Sequence, residues 1–86
     1  MLYLASCPCS GNDKRLGEVL AALSANRWNA FNDVWVIESE LPATVLRDEI
    51  RRTLGEEVPV IVTLLAGHAA WHGFDDDSAD WLMRHL

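Results

Sequence analysis

The sequence predicts an α+β fold, a ferredoxin-like βαββαβ sandwich with one helix layer on an antiparallel sheet, followed by a tail carrying a short helix. Three observations predict it. The stretch Val58 to Leu65 is rich in β-branched residues and carries no charge, which suits a strand buried on both faces. Two segments place apolar residues at helical spacing, Leu16/Val19/Leu20/Leu23 and Val45/Leu46/Ile50/Leu54. The elements then read strand, helix, strand, strand, helix, strand, which is the split βαβ order.

Leu2 to Ser6 is the first expected strand, with Leu2 and Leu4 on one face and Tyr3 and Ala5 on the other. Ser10-Gly11-Asn12 has turn chemistry, and Asn12 or Asp13 can cap the helix that follows. Trp28 to Phe31 and Val34 to Ser39 read as strands joined at Asn32-Asp33, a pair compatible with a tight hairpin. Val34/Val36 and Trp35/Ile37 make the second of these apolar on both faces, so it should be central. Pro42 fits the first turn of the next helix, Arg47, Asp48, Arg51 and Arg52 form its wet side, and Gly55 stops it.

In the last of the core strands, Val60, Val62 and Leu64 alternate with Ile61, Thr63 and Leu65. Pro59 cannot donate to a ladder, so that strand begins there or runs along a sheet edge. Asp75-Asp76-Asp77-Ser78 introduces the final helix, with Asp77 or Ser78 as cap and Trp81, Leu82 and Leu86 on its apolar side. The whole chain, 1–86, is one expected domain: a core over 1–65 and a tail over 66–86 that packs on a partner subunit. Two helices on one sheet face leave the other bare, and a bare apolar face marks an interaction surface.

A domain of 86 residues buries a modest share of its surface, so self-association would add useful burial. Its formal net charge of −6 disfavours a phosphate-backbone binder and favours a basic protein partner or simply solubility. No apolar run reaches the roughly 18 residues of a membrane span. Leu4-Ala5-Ser6-Cys7 matches a lipoprotein cleavage box, but no basic segment or apolar run precedes it, so export is not expected. A bridge between Cys7 and Cys9 would span one residue and be strained, so free thiols in a reducing cytoplasm are expected.

Tyr3-Leu4-Ala5-Ser6, Val34-Trp35-Val36-Ile37-Glu38-Ser39, Ala69-Ala70-Trp71-His72-Gly73-Phe74 and Ser78-Ala79-Asp80-Trp81-Leu82 carry a family resemblance. Together they resemble the small bacterial and phage proteins catalogued as SinR-like, relatives of VapD ribonucleases and of the small CRISPR-associated endoribonuclease-like protein of spacer acquisition. The resemblance implies a ferredoxin-like homodimer whose sheet faces pack together, with the tail reaching toward the partner. It also implies an aspartate after the first strand, paired across the dimer to hold a divalent metal. Here Ser6 and Cys7 are followed by Pro8 at that position, and proline offers no ligand atom.

The remaining constellations have plainer readings. Cys7 and Cys9 with His68 and His72 have zinc-ligand chemistry, but the cysteines follow the first strand and the histidines the last. In an antiparallel pair those positions lie at opposite ends, so zinc within one chain is not expected. A site across a dimer stays open. Cys7 as a nucleophile would need a base, and nothing fixes His68, His72 or His85 near it. The four tryptophans lack interleaved basic residues, so core or subunit contacts are expected before base stacking.

The expectation is therefore a noncatalytic, homodimeric protein-interaction module, in phage defence, counter-defence such as CRISPR inhibition, or a toxin–antitoxin pair, with no catalytic, metal or cofactor residues assigned. Direct nucleic-acid binding is not expected. Its interaction residues would be Val60, Ile61, Val62 and Leu64 for self-association, Trp71 and Trp81 in the tail, and Asp75, Asp76 and Asp77 as a lure for a basic partner. The alternative is a metal-dependent endoribonuclease that uses an unrecognised set of carboxylates.

Overall fold

The computed structural model describes residues 1–8, 14–31, 33–67 and 70–86. Cys9, the Ser10-Gly11-Asn12 turn, the capping role of Asn12 or Asp13, Asn32, His68 and Ala69 lie outside the described residues. The protein is a small α+β structure in which one four-stranded antiparallel sheet carries three helices. The elements are β1 (Leu2–Ser6), α1 (Arg15–Leu23), β2 (Asn26–Phe31), β3 (Val34–Glu38), α2 (Ala43–Leu54), β4 (Ile61–Leu64) and α3 (Asp76–His85).

The strands lie in the order β2-β3-β1-β4, so β1 and β3 are central. Antiparallel partners share a face, which sorts the sheet into two sides. Tyr3, Ala5, Trp35, Ile37 and Val62 occupy one side, and α1 and α2 cover it. There Leu16 and Leu20 of α1 meet Leu46, Ile50 and Leu54 of α2 over Tyr3, Ala5, Cys7 and Ile37, all buried. Both stripes thus bury as their spacing predicts, except that Val45 stands 39% exposed on the flank of α2.

Local chemistry sets the ends of these elements. Lys14 is the N-cap of α1 and makes no side-chain capping bond. Pro42 sits one position before α2 in an extended conformation, and its carbonyl accepts from the Leu46 amide. Gly55 ends α2 at φ 105°, a backbone that side chains rarely adopt, and its N–H closes onto the Arg51 carbonyl at 2.8 Å. Gly17, inside α1, faces the ring of Trp35 so closely that a Cβ there would stand 3.0 Å from it. Buried Ser39 donates to the Leu23 carbonyl at 2.8 Å and accepts from the Leu41 amide at 3.2 Å, tying the end of α1 to the exit of β3.

Four expectations need correction. The stretch from Val58 to Leu65 is not a strand buried on both faces but the edge strand β4, four residues long, with Ile61 59% and Leu64 55% exposed. The prolines supply the reason for its short length. Leu65 N–H bonds the Leu2 carbonyl at 2.9 Å, so by alternation Thr63 and Ile61 bond β1 through Leu4 and Ser6. Continuing that register puts Pro59 opposite Pro8 at the next bonding position, where neither residue has an N–H. The ladder stops.

The second correction concerns Cys7, which is disulfide-bonded rather than a free thiol. Strain makes a short bridge costly and more easily reduced without forbidding it, and spacing alone does not decide between the two forms. The thiol argument for a reducing compartment falls with it. The third concerns the cap of α3. Asp75, ahead of Asp77 and Ser78, holds that position, its carboxylate accepting from the Ser78 amide at 2.8 Å.

The sheet's second side is not bare. Trp28, paired with Val36, points there, and α3 lies over it. Trp28 packs edge-on to Phe74 at 4.9 Å between centroids and lies 6.1 Å from Trp81. Leu2, Val36 and Leu82 become buried, so β3 is covered on both faces, as its double-sided apolar pattern predicts. Within a single chain the tail thus already has a seat, on β2.

Candidate interaction surface

The tail helix leaves part of its face open. On the β1 and β4 half, Leu4 and Ser6 are partly exposed and Thr63 and Ile61 are open. Where β1 ends and β4 begins, Ser6, Cys7, Pro8, Phe31, Asp33, Val34, Pro59, Val60 and Ile61 line an open recess of about 470 Å³, mostly apolar. Phe31, 57% exposed, stacks on Phe74 at 6.4 Å and forms one wall. Asp33 is the one carboxylate among the described residues of that lining.

The nine expected interaction residues do not form one surface. Val60 and Val62 are half-buried and pack against the helix-side core, whereas Ile61 projects from the opposite side. Leu64 shares the helix side with Tyr3 but stands beyond the helices at the sheet edge. Trp71 is half-buried in the crossing segment, and Trp81 stacks on His85 at 4.1 Å. The acidic run divides its labour: Asp75 caps α3, while Asp76 and Asp77 are exposed in its first turn at the positive end of the helix dipole. Hydrogen bonds from the Ser78 hydroxyl and then its amide hold the Asp75 carboxyl below its ordinary range.

Ion pairs line α2. Arg47 Nε donates to Asp48 at 2.9 Å, which draws the Asp48 carboxyl down, and Arg52 pairs with Glu49 at 3.1 Å. These exposed pairs fix little energy but keep that helix face wet. Among the described residues no group of three or more His, Cys, Asp or Glu is placed to hold a metal ion, and no helix is long and apolar enough to cross a membrane. A half-cystine sulfur is not a thiolate, so Cys7 would have to be reduced before it could ligate zinc or attack a substrate.

Sequence reasoning missed the recess and the aromatic seat of the tail. The seat is made by Phe74 and Trp81 meeting Trp28, residues too far apart in the chain for spacing to signal it. Comparison with family models, curated proteins and solved structures finds no match to this chain.

Proposed function

We propose that this chain is a noncatalytic protein-interaction module that works as a homodimer, built on a ferredoxin-like scaffold. The order β2-β3-β1-β4, with α1 following β1 and α2 following β3, supports that scaffold. The relation to VapD-like and CRISPR-associated ribonucleases rests on the sequence resemblance, as does a role in phage defence, counter-defence or a toxin–antitoxin pair. Pro8 in place of the family's aspartate supports a binding role over catalysis.

One observation carries the reading. Edge strand β4 lies in a segment without charge from Val58 to Gly67, and it exposes more than half of both Ile61 and Leu64. Natural edges are usually blunted by charge or covered, so an open apolar edge marks a place for a partner. Sedimentation equilibrium tests it: the expected mass is twice the 9.6 kDa of one chain. A monomer at every concentration would overturn the homodimer.

A further inference from the structure

Two edges bound this sheet, and among the described residues only one is protected. β2 carries Arg27, is bulged between Asn29 and Phe31, and lies under α3. β4 has neither charge nor bulge, and its proline does not guard the outer side. By the register with β1, Pro59 belongs to the inward-bonding set with Ile61, Thr63 and Leu65, so its missing N–H leaves the outer row intact. The outer row consists of the N–H and C=O groups of Val62 and Leu64, with Val60 in the same phase.

From this alternation we infer that β4 pairs antiparallel with β4 of a second copy about a two-fold axis at Val62, joining two sheets into one. This rests on the self-association proposed above and names its surface. Opposed residues must share a face, so the axis passes through a residue, and Val62 is the central one of the outward set. Val62 then bonds its own counterpart, and Leu64 bonds Val60 of the other copy. Ile61, more than half exposed, comes to lie against Thr63, burying apolar surface on the tail side.

A second β4 is its own complement here, since it offers the same three outward residues in reverse order. Each chain carries −6, so two copies repel over most of their surfaces, yet the meeting strands bring no charge between Val58 and Gly67. Face-to-face packing of the sheets is less open to them, because α3 stands on that face.

Hydrogen exchange on the full chain, followed by NMR across a concentration series, tests the pairing. The Ile61 and Thr63 amides should be protected at every concentration, and those of Val62 and Leu64 only as dimer forms. Val62→Pro removes an outward N–H without touching a bond to β1 and should weaken the dimer at least tenfold. Leu64→Lys, at an exposed edge position, should do the same. A dimer whose Val62 and Leu64 amides exchange as fast as in the monomer would overturn the edge pairing and leave the homodimer standing. Absence of any dimer would remove both. The exchange measurement uses the unaltered protein, so it decides the matter even if a variant misfolds.

Discussion

The indole N–H of Trp28 donates to the Ser78 hydroxyl across 3.2 Å, and Ser78 in turn holds the carboxylate of Asp75. One short chain of hydrogen bonds therefore joins an edge strand to the cap of the tail helix. Ser78→Ala leaves the half-buried indole without its acceptor, at an expected cost of about 1 kcal/mol. In a domain of this size that is a drop of roughly 4–8 °C in Tm, measurable by tryptophan fluorescence.

The same latch should respond to acid. The Asp75 carboxyl is held below its ordinary value of 3.8, first by the Ser78 hydroxyl and then by the Ser78 amide. A depressed folded value means that the cap's contribution is complete above the unfolded pKa and is lost as pH falls through the lower, folded one. Helical signal at 222 nm should fall there, and Asp75→Asn, which still caps, should flatten its own share of that dependence. An identical acid transition in this variant would assign the loss to Asp48, whose carboxyl is held low by Arg47.

Gly17 and Trp35 should prove interdependent. Alanine ordinarily gains roughly 0.5–1 kcal/mol over glycine inside a helix. Here the new methyl would stand 3.0 Å from the indole, so Gly17→Ala should come out neutral to about 2 kcal/mol destabilising. The contact is with the six-membered ring of Trp35, which phenylalanine withdraws. In a Trp35→Phe background Gly17→Ala should stabilise, and urea melts of the four proteins in that cycle measure the difference.

Ser39→Ala should destabilise by about 1–3 kcal/mol, because the Leu23 carbonyl and the Leu41 amide would both lose their partner beside a buried position. Thermal melts check this, with Ser39→Thr as a control that keeps the hydroxyl.

For the ribonuclease alternative, purified protein incubated with labelled RNA and magnesium or manganese should leave the RNA intact. Metal-dependent cleavage, abolished by changing one particular carboxylate and unaffected by the others, would restore the catalytic reading.

Much of this architecture was legible in the residues. The spacing of Leu16 and Leu20 and of Leu46, Ile50 and Leu54 marks the buried sides of α1 and α2, and β3's apolar pattern marks it as central. Local rules suffice there because the signal repeats within one element. The exposure of Ile61 did not follow from its apolar neighbours, since an edge strand and a buried one share a composition and differ in what lies beside them. The seat of the tail joins Trp28 to Ser78, far apart in the chain, and no periodicity reports such a meeting. The recess depends on three separate segments and was equally out of reach.

That hollow owes its existence to Pro8 and Pro59. Facing imino acids act as a zipper stop: closure of the β1–β4 seam halts two residues short of them, and the backbones beyond are free to splay. With ordinary residues at both positions, two more donors would be on hand to draw the seam shut and narrow the mouth between Phe31 and Ile61. A concave site at the end of this sheet is thus sculpted by bonds that cannot form.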